Sequence, residues 1–122
     1  MARKVLVVED DLLNRMFYQE VLGAAGHEVS MVADGAAVMR EVERFQPDVI
    51  TMDIQLPHIS GLRLIQQLRR QSATRAIPII AITAFAGRDE ESKCREAGAT
   101  NYLAKPVTMD RLKGAVAAAL EG

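Results

Sequence analysis

Residues 5–11 read Val5-Leu6-Val7-Val8-Glu9-Asp10-Asp11, an unbroken apolar run that stops on three acids. A continuous run of this kind, rich in β-branched residues, is the pattern of a strand buried on both faces. Working outward from it, a short apolar run followed by a longer amphipathic stretch recurs five times. Residues 12–25 have helical character, with Leu13, Met16, Phe17 and Val21 as the expected inner face and Gly26 closing the helix. Residues 27–32 alternate, as a half-exposed strand does, and Asp34-Gly35 turns the chain. Val38, Met39, Val42 and Phe45 recur at helical spacing, and Pro47 stops that helix. A third strand spans residues 49–52 and ends at Asp53. A loop then leads to Ser60, a candidate N-cap for a helix buried through Leu62, Ile65 and Leu68. Residues 77–82 form a fourth apolar strand, with Pro78 near its start where a missing N–H is tolerated. Residues 87–97 are helical but very polar, residues 100–104 make a short mixed strand, and Met109, Leu112, Val116 and Leu120 face a last helix.

Strand–helix alternation at this spacing predicts parallel βαβ units. The first, third and fourth strands are the most apolar and should be central, while the mixed second and fifth should be edges. A doubly wound α/β domain of the flavodoxin-like (βα)5 type, with sheet order 2-1-3-4-5, meets that condition.

The chain has 122 residues, enough for one domain with its own core. A net charge of -1 gives no general attraction to nucleic acid or anionic membrane, and Arg69, Arg70 and Arg75 are interrupted by Gln and Ser. Cys94 stands alone, so no internal disulfide is possible, and His27 and His58 lack metal-ligand spacing. No run approaches the ~20 apolar residues of a membrane span, and nothing resembles a leader peptide. The expectation is a soluble cytoplasmic protein, one domain over 1–122 with no output domain, the last helix pattern closing at Leu120-Glu121-Gly122.

Ligands of open parallel sheets bind beyond the carboxyl ends of the strands, where the winding reverses. The first strand ends in Glu9, Asp10 and Asp11, the third in Asp53, the fourth in Thr83 and the fifth in Lys105-Pro106. Crowded hard oxygen donors suit Mg²⁺, which takes one or two carboxylates together with phosphate oxygens. Asp53 is a candidate nucleophile toward phosphorus, Lys105 a point charge for phosphoryl oxygens, and Thr83 a hydroxyl donor. Taken singly, each residue has a plainer explanation: Asp10 or Asp11 as a helix cap, Asp53 in a turn, Lys105 as a solvated charge. Four suitable residue types at four of five strand ends outweigh those explanations.

These segments resemble the receiver domain of bacterial response regulators, the CheY-like fold, over essentially the whole chain. The resemblance is carried by Val7-Val8-Glu9-Asp10, Met52-Asp53-Ile54-Gln55-Leu56-Pro57 with Gly61, Ile82-Thr83-Ala84, and Lys105-Pro106. It implies that Asp53 accepts a phosphoryl group from a histidine kinase. It further implies that Glu9, Asp10, Asp53 and the backbone carbonyl of Gln55 hold Mg²⁺, and that Thr83 and Lys105 contact the phosphate. Tyr102 matches the aromatic that swings inward on activation, and the Lys105-Pro106 bond is expected to be cis. Asp11 extends the acidic pair, leaving open which carboxylates a metal uses.

Met52-Asp53-Ile54-Gln55-Leu56-Pro57 together with Ile82-Thr83-Ala84-Phe85-Ala86 is most similar to DivK-type single-domain response regulators of the cell cycle, which bind kinases and related proteins and not DNA. Receivers of hybrid kinases and phosphorelays share these segments. The implied partners are a sensor histidine kinase or phosphotransfer protein, and a downstream protein meeting the fourth helix, fifth strand and fifth helix. Two rivals differ in class. An aspartate-nucleophile phosphatase would want an acid where Gln55 stands; an acidic binding module would never be phosphorylated. A flavin carrier fits least, since the acids would repel its phosphate.

Overall fold

A computed structural model describes residues 2–121. Five strands, β1 (Lys4–Val8), β2 (Glu28–Val32), β3 (Val49–Asp53), β4 (Ile79–Thr83) and β5 (Asn101–Ala104), form one parallel sheet in the order β2-β1-β3-β4-β5. The helices are α1 (Leu12–Ala24), α2 (Val38–Phe45), α3 (Gly61–Arg70), α4 (Arg88–Ala97) and α5 (Met109–Glu121), with a 3-10 turn at Gly35–Ala37. The order and the assignment of edges agree with the sequence reading: every residue of β3 and β4 is buried, whereas β2 and β5 are mostly half-exposed. No described helix is long and apolar enough to cross a membrane.

Side chains alternate across the sheet and so build two cores. Leu6, Val8, Ile50, Met52, Ile79 and Ala81 face α2, α3 and α4. Val5, Val7, Val49, Ile80, Ile82 and Leu103 face α1 and α5. Each large aliphatic side chain buried in this way contributes about 1.5–3 kcal/mol.

The inner face of α1 is not the expected one. Val21 is buried, but its partners are Tyr18 and Leu22, while Leu13 and Met16 are 73% and 58% exposed and Phe17 is also open to solvent. At 100° per residue Tyr18, Val21 and Leu22 make one stripe, and Leu12, Leu13 and Met16 lie on the far side. Helix α1 is apolar on both stripes, and periodicity alone picked the outer one. Smaller differences follow the same logic. Leu64 joins Ile65 and Leu68 beneath α3, with Leu62 only half-buried. Ala115 joins Leu112 and Val116 beneath α5, whereas Met109 is exposed and Leu120 half-buried.

Two local features fix the approaches to the sheet. Ser60 caps α3, its hydroxyl accepting from Leu62 N at 3.1 Å. Arg69 runs from α3 to backbone carbonyls: its Nε donates to Gly98 O at 2.8 Å and its Nη1 to Ile77 O at 2.7 Å. Gly98, at φ +118°, ends α4, and a Cβ there would lie 2.5 Å from the Arg69 side chain.

Candidate functional site

Winding reverses between β1 and β3, and their carboxyl ends deliver Glu9, Asp10 and Asp53 to one edge. One oxygen from each of these three lies within 4.8 Å of the others. Glu9 and Asp53 are 1% and 2% exposed, and Asp10 is open to solvent. Like charges at that separation repel by roughly 3 kcal/mol at an effective dielectric near 20. Partial compensation comes from β5, whose following residue Lys105 sets its Nζ 3.2 Å from Glu9 Oε1 and 3.4 Å from Asp53 Oδ2. Burial works against the Lys105 ammonium, but Asp53 and Glu9 overcome it and raise its pKa. Burial, with the Asp53 charge added, pushes the Glu9 carboxyl up to about 7 against the hydrogen bond it accepts from Asp11 N.

Glu9 Oε1 is buried and no hydrogen bond reaches it, despite the nearby ammonium. A buried carboxylate oxygen whose close partner is the Lys105 ammonium, beside two more carboxylates, belongs to a fitting donor set for a hard divalent cation. Asp11 is otherwise employed: its Oδ2 accepts from Asn14 N at 2.9 Å and caps α1. That separates the two roles left open in the acidic triplet.

The other residues singled out from the sequence surround this edge. Gln55 N donates to Asp53 Oδ1 at 3.0 Å, and Lys105 N donates to Thr83 O at 2.7 Å. The Lys105-Pro106 peptide is cis. Thr83 is fully buried at the end of β4. Tyr102 is half-buried against the core, its hydroxyl donating to Phe85 O at 3.1 Å. Among the described residues neither His27 nor His58 joins the group of acids, and Cys94 is buried under α4, where burial raises its thiol pKa. Gly61 is obligatory for close approach, since a Cβ there would fall 2.2 Å from Asp53 O.

The sequence profile of the response regulator receiver domain matches residues 5–117. The chain belongs to that family. Among relatives of this receiver domain, the polar-differentiation response regulator DivK of Brucella anthropi is 36% identical over 111 residues, covering 91% of this chain and 90% of that one. The chemotaxis response regulator CheY4 of Vibrio cholerae superposes with a TM-score of 0.93 at 28% identity, covering 98% of this chain and all of that one. The receiver domain of the sensor histidine kinase PA1611 of Pseudomonas aeruginosa, solved with a magnesium ion coordinated in its active-site cleft, gives 0.90 at 34% identity with full coverage of both. This receiver domain is thus DivK-like in sequence and CheY-like in fold.

Three side chains at the site escaped the sequence reading. Arg15 Nη1 donates to Glu9 O at 3.0 Å and to Asp10 O at 2.8 Å, holding the turn that carries the acids. A cation so near a helix N-terminus opposes the macrodipole, and that was its signal. The Gln55 side chain and Glu90 both reach Thr83, at 2.9 and 2.8 Å. Nothing in the local sequence links these residues, because Gln55 lies in the loop after β3, Thr83 ends β4 and Glu90 sits in the first turn of α4, and the fold alone brings them together.

Proposed function

We propose that this receiver domain is a phosphorylation switch in which Asp53 accepts a phosphoryl group from the phosphohistidine of a sensor histidine kinase or phosphotransfer protein. The observation that carries this reading is the convergence of Glu9, Asp10 and Asp53 within 4.8 Å, with the Lys105 ammonium 3.4 Å from Asp53. An Asp53 oxygen forms the new O–P bond as the donor's N–P bond breaks, giving an acyl phosphate on the protein and a free imidazole on the donor. Lys105 takes charge on the phosphoryl oxygens and Thr83 donates its hydroxyl to one of them. Glu9, Asp10, Asp53 and the Gln55 carbonyl would hold Mg²⁺, whose chemistry there is neutralisation of charge on the transferring group.

Beyond self-phosphorylation and slow self-hydrolysis the domain turns over no free substrate. Its output is protein binding through α4, β5 and α5, with Tyr102 following Thr83, in the manner of a cytoplasmic DivK-type regulator. Intact mass after incubation with acetyl phosphate and Mg²⁺ tests the reading. One added phosphoryl group is expected in wild type and none in Asp53→Ala or in EDTA. An unmodified wild type would make the site an unphosphorylated acidic binding module, and sustained hydrolysis of a generic phosphate ester would make it a phosphatase.

A further inference from the structure

The Thr83 hydroxyl has one proton to give and two lone pairs, and all are engaged away from Asp53. Gln55 Nε2 donates to Thr83 Oγ1 at 2.9 Å, and Phe85 N donates to the same oxygen at 3.2 Å. Gln55 Oε1 accepts from Ala84 N at 2.8 Å and lies 3.3 Å from Thr83 Oγ1. Glu90 Oε2 is closer, at 2.8 Å. With Gln55 already donating to the hydroxyl, the Thr83 proton goes to the Glu90 carboxylate. A charged acceptor makes this the strongest bond in the set.

We propose that Glu90 is a positioning residue that holds Thr83 in its resting place, so that phosphoryl capture must break the Thr83–Glu90 bond and release the first turn of α4. The inference rests on Asp53 as phosphoacceptor. A phosphoryl group brings about -1.5 to -2 charges next to Glu90 and competes for the same proton, so it both removes the restraint and repels it. Helix α4 yields because it buries only Cys94 and Ala97. The coupling runs in both directions: a partner whose cation draws Glu90 away strengthens phosphoryl capture by the same factor.

The test is the affinity of the whole domain for beryllofluoride, a phosphoryl mimic, in Mg²⁺, followed by calorimetry. Glu90→Ala should bind about tenfold tighter than wild type, and Glu90→Gln, which keeps a neutral acceptor, about threefold tighter. In a Thr83→Ala background the gain from Glu90→Ala should shrink to about twofold or less, the residue of through-space charge. A second readout needs neither metal nor mimic: amide exchange at Ala84, Phe85 and residues 88–91 should quicken in Glu90→Ala and stay near wild type in Glu90→Gln. Unchanged affinity in Glu90→Ala, or an equal gain with and without the Thr83 hydroxyl, overturns the proposal. A wild type that binds no beryllofluoride defeats the phosphoacceptor reading instead, and the exchange measurement then decides the role of Glu90 by itself.

Discussion

Helices α3 and α4 are both ten residues long and both follow a strand whose end carries a site residue, yet they are anchored very differently. Helix α3 buries Leu64, Ile65 and Leu68 and starts from a Ser60 cap. Helix α4 buries Cys94 and Ala97, starts at Gly87 without a side-chain cap, and carries Asp89, Glu90 and Glu91 in its first turn. Acids there suit the helix dipole, so α4 is stable as a helix while weakly held to the sheet. The difference teaches a division of labour: α3 fixes the loop behind Asp53, and α4 is kept in place by polar contacts that a new charge can undo.

Breaking α3 should cost most. Ile65→Ala empties a fully buried position and is expected to lower stability by about 2–5 kcal/mol in urea unfolding. Gly61→Ala drives a Cβ against Asp53 O, so about 1–3 kcal/mol is expected with a marked loss of phosphoryl capture, read by intact mass. Cys94→Ala under α4 removes much less apolar volume and should cost about 1 kcal/mol. If Cys94→Ala matched Ile65→Ala, the contrast between the two helices would be wrong.

The smallest effect is a pH dependence. Burial holds the Cys94 thiol above its ordinary value of 9.0, so the folded state keeps that proton more tightly than the unfolded chain. Its contribution is complete below pH 9.0 and is lost as pH rises beyond it. Wild type should therefore lose more stability between pH 8 and 10 than Cys94→Ala does, measured by thermal melts.

The sheet was legible because β1, β3 and β4 are continuous apolar runs, and burial on two faces leaves no other pattern. The acids were legible because strand ends in a parallel sheet converge on one edge. Two things were not. Helix α1 carries two apolar stripes, and only packing against β1 and α5 chooses Tyr18, Val21 and Leu22. The hydrogen bonds from Gln55 to Thr83 and from Thr83 to Glu90 join side chains 28 and 7 positions apart, and partners of that kind leave no periodic trace.

The Arg69 guanidinium ties down only one end of α4. It clasps the carbonyl of Gly98, just past the last turn, whereas among the described residues no side chain caps the start of the helix at Gly87. The helix is therefore a door with its pivot at Gly98 and its free edge ~15 Å away, beside Thr83. Letting go of Thr83 swings that edge widely while the pivot barely moves, so probes at Arg88 and Arg95 would report very different excursions from a single event.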